Sequence, residues 1–535
     1  MGQINLGGAA IRGARWRYDG TKKVYPVGVI ARQSIKGALA NYVGVVIGFI
    51  TTFFVLTDCL TQEEIGLTRV MVDAALLFSG LAQLGTNASI VRFFPFFRSE
   101  EGRNHGIFGW SVLIPFIGFA LFAVFFFLFK ERIVEVYSIK SPLITDYCYL
   151  LLPLTFFALY LTVFETNASV LMRITVPKLV REVGIRVLNL VLYLLYGHGV
   201  ISLDLFVVLF CACYGVAMLV NFFYLLSLGK ISFRIDWSFM QGGRMKEMLR
   251  YTLFMTATVL AGNIPLINSL FLGAKTGLAL TGVYTIAYYI ANIVEVPYRS
   301  LGAISRPVIS QAVRDGNWGE VNRLGRQVSL HQFLVSGLIF FFIWINLKPL
   351  FAVIPNGDQY DGGMGVVLLL GLSKVVNSSL SIGSDVLNYS RRYPFALLFI
   401  ALLTASAIWL NNRLIPLWDI NGSALATLLS YGLYFACLLT FLWWQLRVSL
   451  FHKGHLTVLV MLLALFGLNA LWEALVLPLF GSAPGTLMQL VQAAARTLVM
   501  GLVVLVALRR IHISTAVDGL MSRLPSLAKN KRRRQ

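Results

Sequence analysis

Five polar side chains recur along one face of a predicted helix. Lys374, Ser378, Ser381, Asp385 and Asn388 stand at offsets of 0, 4, 7, 11 and 14 residues. At 100° per residue they lie within about 40° of Lys374 on the helix surface. Charged side chains within hydrocarbon are costly, so they normally face a protein interior or a water-filled cavity. The spacing therefore predicts a helix with one hydrated face that is shielded from lipid.

A second apolar run carries a similar stripe. Tyr288, Asn292, Glu295 and Arg299 stand at offsets of 0, 4, 7 and 11 residues, and Pro297 should kink or end the helix in this stretch. Polar side chains of this kind can line a water-filled cavity. Serine and asparagine within a span can also simply hydrogen-bond a neighbouring helix.

The remaining charges of interest are basic residues at span ends and carboxylates within spans. Arg92 and Arg299 lie at predicted cytoplasmic span ends, where topology alone also places arginine. Lys374 lies in mid-span, and topology does not explain it. A carboxylate in a low-dielectric site can exchange a proton near neutral pH. Four carboxylates are candidates for proton or sodium coupling: Asp73, Glu165, Glu295 and Asp385.

The elements that carry these residues are about fourteen apolar runs of roughly twenty residues, the length of helix that crosses the ~30 Å hydrocarbon core of a bilayer. Hydrophobic residues make up 57% of the 535-residue chain and charged residues 13%, whereas soluble domains are about a quarter charged. We therefore predict an all-α polytopic membrane protein. We therefore interpret the net charge of +21 as a signal for membrane topology. For that reason no nucleic-acid partner is expected.

The lysines and arginines alternate between the two sides of the predicted membrane. One set of loops and termini holds 36 of the 45, the opposite set holds seven, and Lys374 and Arg496 lie within spans. Positive residues accumulate in cytoplasmic loops. Both termini are therefore predicted to be cytoplasmic, and no cleavable signal peptide is predicted.

The longest internal loop falls between the sixth and seventh spans and divides the spans into two lobes of six. Gly66 and Gly282 begin corresponding segments about 215 residues apart, which favours two parallel repeats. The predicted organisation is a basic N-terminal segment 1–36, an N-lobe 37–228, an inter-lobe loop 229–250, a C-lobe 251–446, two further helices in 447–508 and a basic tail 509–535.

Catalysis and metal binding find little support in the sequence. The outer loops are short, and their acidic residues have no recognisable spacing. The five cysteines are scattered, and Cys211 and Cys213 point about 200° apart on one helix. We predict no catalytic residue, no metal ligand and no cofactor other than a coupling proton or sodium ion.

Three segments carry a resemblance to a known family. They are 60–67 (LTQEEIGL), 282–297 (GVYTIAYYIANIVEVP) and the pair 414–417 (LIPL) and 420–427 (INGSALAT). With the 6+6+2 arrangement of spans, they resemble the multidrug/oligosaccharidyl-lipid/polysaccharide (MOP) exporter superfamily. Within it they resemble the polysaccharide transporters, or Wzx-type lipid-linked oligosaccharide flippases. The resemblance implies a fold like that of the MATE transporters, with two lobes in a V.

The resemblance also implies a function. Such proteins lie in the bacterial inner membrane and turn a polyprenyl-diphosphate-linked glycan, such as an O-antigen or other lipopolysaccharide precursor, from the cytoplasmic to the periplasmic leaflet. Membrane lipids and other polysaccharide-assembly proteins are the expected partners. One departure concerns helix seven, where relatives often carry an acidic residue and this chain has Asn268. That difference puts in doubt any ion coupling assigned to helix seven.

Three other functions remain open at this stage. A drug or organic-cation antiporter of the same superfamily would favour an acidic cavity, whereas bases and acids are balanced in these stripes. A membrane enzyme of glycan assembly, such as a polymerase or ligase, would need a larger external loop. A non-transporting scaffold would not need polar stripes within its spans.

Overall fold

The computed structural model describes residues 43–99, 103–229, 232–236, 243–260, 264–476 and 486–510. The regular structure in these ranges is helical and contains no strand, which confirms the all-α prediction. The helices in the first part of the chain are α1 Val43–Cys59, α2 Gln62–Ala82, α3 Thr86–Phe97, α4 Ile107–Ser138, α5 Pro142–Val170, α6 175–197, α7 Leu203–Ser227, α8 Arg244–Leu260 and α9 Ile264–Lys275.

The helices in the second part complete the order. They are α10 Leu278–Asn292, α11 Val296–Arg314, α12 Trp318–Ile345, α13 Leu347–Val353, α14 Met364–Tyr389, α15 Pro394–Leu446, α16 Lys453–Leu475 and α17 Thr486–Arg510. A 3₁₀ turn, Ile293–Glu295, separates α10 from α11. Pro297 stands in the first turn of α11, so the predicted interruption at this proline is confirmed.

Within the described residues, the fourteen predicted spans lie on helical segments. Spans one, five, seven, eleven and twelve are predicted at 37–57, 183–201, 251–273, 394–415 and 422–446. Ten helical segments among the described residues are long and apolar enough to cross a membrane. The 53-residue helix α15 contains predicted spans eleven and twelve, and its backbone leaves the helical region at Trp418 and Asp419. The first, fifth and seventh predicted spans correspond to α1, α6 and the α8–α9 pair. The chain is thus a multi-pass membrane protein. The sequence also predicts a break in the seventh span, at Gly262, Asn263, Pro265 and Asn268, and the first two of these lie outside the described residues.

The described chain divides into two compact units. The first takes the chain up to Ile286 together with Ile400–Ala426, and the second takes Ala287–Phe399 and the chain from Thr427 onward. The predicted lobes 37–228 and 251–446 follow chain order instead, and they stay a prediction.

In the first unit, two glycines allow helices α2 and α10 to approach closely. Each glycine lies against the start of the other helix. A Cβ atom on Gly66 of α2 would clash with the carbonyl oxygen of Leu278, which begins α10. A Cβ atom on Gly282 of α10 would clash with the carbonyl oxygen of Gln62, which begins α2. Only glycine permits such an approach of two backbones. The two contacts are therefore reciprocal, with a glycine of each helix against the start of the other.

The second unit is built around α12. This helix packs along α14 and α11, and α16 packs on another part of its surface. Leu334 and Phe341 of α12 share a buried core with Leu462 of α16 and Val504 of α17. Arg496 of α17 is buried and donates to the carbonyl oxygen of Ile345 at the end of α12. The two C-terminal helices are therefore anchored on α12.

Candidate functional site

An ion pair buried in the second unit joins the two predicted stripes. The Nζ atom of Lys374 on α14 lies 3.2 Å from Oε1 of Glu295 in the turn before α11. Lys374 is 5% exposed and Glu295 is 9% exposed. Buried charges require such a partner, because an isolated ion in an apolar interior loses its hydration without compensation.

Two further side chains complete the surroundings of this pair. The Nδ2 atom of Asn377 donates to Oε1 of Glu295 at 2.9 Å. The ring of Tyr288 on α10 lies 5.4 Å from the Lys374 ammonium, measured to the ring centroid, within the range of a cation–π contact. The cluster is formally neutral and combines a cation, a carboxylate, an amide and an aromatic ring.

The local sequence explains how these groups come together. The offsets of α14 place Lys374 and Asp385 on one face, about three helical turns apart. On the other side, Pro297 supplies no backbone N–H, so α10 does not continue through this stretch as an α-helix, and Glu295 ends the intervening 3₁₀ turn. Val294 in the same turn is fully buried and packs with Phe340 and Val375.

A second ion pair lies further along the same helices. The Nε atom of Arg306 on α11 lies 3.0 Å from Oδ2 of Asp385, and one terminal nitrogen of Arg306 donates to the hydroxyl of Tyr298 at 2.6 Å. Burial favours the neutral form of Arg306. The Asp385 carboxylate and the Tyr298 hydroxyl outweigh it and raise the pKa of this guanidinium above its usual value. Arg306 therefore stays charged at any working pH.

The other residues of the two stripes occupy different environments. Ser378 is fully buried, and its Oγ atom has no partner among the described residues. Ser381 is buried and donates weakly to the carbonyl oxygen of Ser378, at 3.4 Å. Asn292 is half-buried with its Oδ1 atom unpartnered in the described part of the chain, whereas Asn388 is exposed at the end of α14. The side chain of Arg299 lies outside the described residues.

The two candidate carboxylates of the first unit, Asp73 and Glu165, each lie beside an arginine. The Oδ2 atom of Asp73 lies 2.6 Å from Nε of Arg69 and accepts a hydrogen bond of 2.6 Å from the hydroxyl of Ser269 on α9. Glu165 on α5 lies 2.7 Å from Arg181 on α6. The structure thus places Asp73 and Glu165 in separate clusters within this unit.

Arg92 has an aromatic partner. This exposed residue near the middle of α3 places its guanidinium 4.3 Å from the ring centroid of Tyr251 on α8 and 5.8 Å from that of Phe93. An arginine stacked on a ring keeps its N–H groups directed outward, where they can bind a phosphate.

Next to Asp73, a buried polar network links three helices of the first unit. Asn268 on α9 donates to the hydroxyl of Tyr284 on α10 at 3.0 Å and accepts from Nδ2 of Asn411 on α15 at 2.9 Å. The hydroxyl of Ser423 donates to Oδ1 of Asn411 at 2.9 Å. Asn268, the departure noted in helix seven, is therefore held within neutral hydrogen bonds.

Sequence reasoning missed three residues of the second unit. Arg306 stands 18 residues from Tyr288, which is five helical turns, so it continues the face of that stripe. Tyr298 has no sequence signal of its own, because its role depends on the hydrogen bond from Arg306. Asn377 lies about 60° from Lys374 on α14, just outside the stripe. A wider angular window and a longer stripe would have found Asn377 and Arg306.

A family model agrees with the sequence resemblance. The model described as "Polysaccharide biosynthesis protein" matches residues 30–313, which is more than half of the chain. This range includes α1 to α10 and most of α11. No curated protein sequence matches the chain.

Three solved structures share the fold. A lipid II flippase, MurJ, in an inward closed conformation is 12% identical, with 87% of this chain and 98% of that chain covered and a TM-score of 0.65. An inward-facing multidrug resistance MATE family transporter of the MOP superfamily is 16% identical, with 77% and 97% covered and a TM-score of 0.56. A MOP superfamily transporter from Pyrococcus furiosus is 17% identical, with 77% and 94% covered and a TM-score of 0.50. These likenesses confirm the predicted fold.

Proposed function

Because the chain belongs to the polysaccharide biosynthesis protein family, we propose that it is a flippase for a polyprenyl-diphosphate-linked oligosaccharide. The glycan is a precursor of a polysaccharide or lipopolysaccharide, and it moves from the cytoplasmic to the periplasmic leaflet of the bacterial inner membrane. Both termini lie in the cytoplasm. The activity is transport by alternating access rather than catalysis.

The main physical barrier to flipping is the transfer of the polar head group across the membrane. A diphosphate-linked sugar is anionic and heavily hydrated, and moving it unaided through hydrocarbon is prohibitive. The polyprenyl tail is apolar and can remain in lipid throughout. A protein that solves this problem needs cations and hydrogen-bonding groups inside its membrane-spanning region.

The observation that carries the proposal is the buried Lys374–Glu295 pair. A lysine near the middle of a membrane-spanning helix is expensive to keep there, and residues of this kind mark substrate or ion pathways. The adjacent Tyr288 and Asn377 offer an aromatic face and an amide, the groups that contact sugar rings and hydroxyls.

Each part of the head group has proposed contacts. Lys374, Arg299 and Arg92 bind the phosphates. Tyr288, Asn292, Ser378, Ser381 and Asn388 contact the glycan. Coupling to a proton or a sodium ion involves carboxylates, for which Asp73, Glu165, Glu295 and Asp385 are the candidates. MurJ, which shares the fold, is itself a lipid II flippase.

A flipping assay tests the proposal. The full-length protein is reconstituted in vesicles that contain a fluorescent polyprenyl-diphosphate-linked glycan, and the fraction of label reached by an impermeant quencher is followed. Lys374→Ala should abolish flipping while the protein stays folded. Lys348→Ala, at an exposed lysine of α13, is the matched control and should flip at the wild-type rate.

Two results would overturn the proposal. One is normal glycan flipping by Lys374→Ala. The other is wild-type protein that fails to flip the glycan but exchanges an organic cation for protons. The second result would favour the antiporter alternative.

A further inference from the structure

We propose that Lys374 exchanges partners when the head group binds, and that Glu295 takes up one proton in the exchange. A phosphate of the head group replaces the Glu295 carboxylate beside the ammonium, and the released carboxylate becomes a carboxylic acid. The inference rests on the proposed function, because it assigns the head group to Lys374. It adds a defined proton stoichiometry at a named atom.

The starting point is charge balance. In the structure, Lys374 is already neutralised by Glu295 at 3.2 Å, so its charge is not available to a ligand. A phosphate that simply joined the pair would bring a second anion to one ammonium. A phosphate that replaces Glu295 gains the cation, but it leaves a carboxylate of a 9% exposed residue without a counter-charge. Leaving one member of a buried pair unpaired is strongly unfavourable.

Among the described side chains, the groups around Glu295 do not provide a replacement cation, and the side chain of Arg299, one turn further along α11, lies outside that set. Asn377 of α14 donates one hydrogen bond, and Tyr288 of α10 presents its ring to Lys374. Tyr431 of α15 interacts electrostatically with Glu295 and carries no positive charge. Helix α12 also packs on the 3₁₀ turn that contains Glu295. In the part of α12 from 327 to 345, the titratable residue is His331, which is half-buried.

On α11 the nearest described cation is engaged elsewhere. Arg306 holds Asp385 at 3.0 Å and bonds the hydroxyl of Tyr298. Moving Arg306 to Glu295 would only transfer the unpaired charge to Asp385. A proton is therefore the most economical counter-charge for the released carboxylate.

A proton fits this site better than a sodium ion does. Sodium is coordinated by several oxygen ligands, whereas Glu295 receives an amide N–H from Asn377 and an ammonium from Lys374. In the orientation seen in the structure, both of these groups present donors to Glu295, so they do not form a set of oxygen ligands for a cation. Val294, Phe340 and Val375 form an apolar core beside the turn. These side chains contribute no oxygen ligand for a sodium ion.

The proton balance is simple. Water on the side from which the head group enters supplies the proton, and the proton binds a carboxylate oxygen of Glu295. Lys374 remains an ammonium throughout, and the phosphate diester remains an anion. When the head group leaves, the proton returns to water and the Lys374–Glu295 pair forms again.

Because of the position of Glu295, the exchange of partners by Lys374 also affects the backbone between α10 and α11. The residue ends the 3₁₀ turn between α10 and α11, where Pro297 already removes one helical hydrogen bond. The contact with α14 therefore holds a break in the helix in one geometry. When the head group binds and the contact between Glu295 and Lys374 is lost, this break no longer holds one geometry. Helices α10 and α11 can then change their relative direction at the turn.

The test measures proton uptake on binding, without transport. Full-length protein in nanodiscs is titrated with a short-chain prenyl-diphosphate-linked N-acetylglucosamine. This probe is a diphosphate diester that does not itself titrate between about pH 6 and about pH 8. Calorimetry in buffers of different ionisation enthalpy gives the number of protons bound per ligand. Infrared difference spectra detect the C=O stretch of a newly protonated carboxylic acid.

The expected result is one proton taken up per ligand. The affinity should then weaken by up to about tenfold for each unit of rising pH, because the complex binds one more proton than the free protein. Glu295→Gln should bind the probe with no proton uptake, no pH dependence and no infrared band. Glu131→Gln, at an exposed carboxylate of α4, should behave like wild type.

The failures are distinguishable. Binding by the wild-type protein without proton uptake overturns the exchange and leaves the flippase proposal standing. Proton uptake that persists in Glu295→Gln, or binding that depends on sodium in place of protons, also overturns it. Absence of any binding contradicts both proposals. The wild-type measurement decides the stoichiometry even if a variant fails to fold.

Discussion

The Nζ atom of Lys374 lies 3.2 Å from Oε1 of Glu295, so a lysine near the middle of α14 is neutralised by a carboxylate from the turn before α11. Both residues are at most 9% exposed. Loss of one partner leaves a buried charge unpaired, whereas loss of both partners leaves no buried charge. The pair therefore has consequences for stability as well as for transport.

Neutralising Lys374 alone should destabilise the protein more than neutralising both partners. We expect Lys374→Met to lower the free energy of unfolding by about 3 kcal/mol, and Lys374→Met with Glu295→Gln to recover most of that loss. Unfolding in detergent across a double-mutant cycle measures the coupling. Lys348→Met controls for loss of an exposed lysine. Strictly additive effects of the two substitutions would contradict the pairing.

The second ion pair should matter less for stability. The side chain of Arg306 is 39% exposed, so solvent screens its attraction to Asp385. We expect Arg306→Gln to cost about 1 kcal/mol or less in the same unfolding assay. The pKa of Arg306 is raised by Asp385 and Tyr298, although burial opposes the charge, so the residue is protonated below and above neutrality. The contribution of the pair should therefore be independent of pH as long as Asp385 is ionised. A cost equal to that of Lys374→Met would contradict this ranking.

Tyr251 should act as a positioning residue for Arg92. The guanidinium lies 4.3 Å from the ring centroid, and such contacts are worth about 0.5 to 1 kcal/mol at exposed sites. Tyr251→Ala should weaken the apparent affinity for the lipid-linked glycan by about threefold with little change in the maximal rate. Tyr251→Phe keeps the ring and should behave like wild type.

The control for this experiment is Arg391→Ala, at an exposed arginine in the turn between α14 and α15. It should leave the apparent affinity unchanged. Equal effects of Tyr251→Ala and Tyr251→Phe would show that the ring does not position Arg92.

The contact between α2 and α10 should tolerate no side chain at Gly66. A Cβ atom there would clash with the backbone of Leu278, and overpacking of this kind costs about 2 to 3 kcal/mol. Gly66→Ala should therefore lower the yield of folded protein and its unfolding temperature. At Gly432 of α15 a Cβ atom meets open space, so Gly432→Ala should be neutral or stabilising by up to about 1 kcal/mol. Equal behaviour of the two variants would contradict the close approach.

The helices and their polar faces follow directly from the sequence. The 3.6-residue periodicity on α14 places Lys374 and Asp385 on one face, and Pro297 indicates the interruption that carries Glu295. The spacing of Gly66 and Gly282 indicates corresponding segments of two repeats. Each of these signals is local, because it depends on residues within one helix or at one helix start.

The partners of the charged residues do not follow from the sequence. Periodicity shows which side of a helix is polar, but not which other helix faces it. The pairing of Lys374 with Glu295 and of Arg306 with Asp385 depends on how α14 packs against α10 and α11. Asn268 is a further example, because its hydrogen bonds to Tyr284 of α10 and Asn411 of α15 depend on the packing of two other helices.

The most direct measurement asks whether the polar face of α14 meets water during transport. Ser381 is 7% exposed in this structure. Ser381→Cys, in a background without the five native cysteines, is treated with an impermeant thiol reagent during glycan flipping. We expect labelling to proceed during turnover and the lipid-linked glycan to slow it. A cysteine at 381 that never reacts, in protein that still flips glycan at the wild-type rate, would contradict the assignment of this face to the transport path.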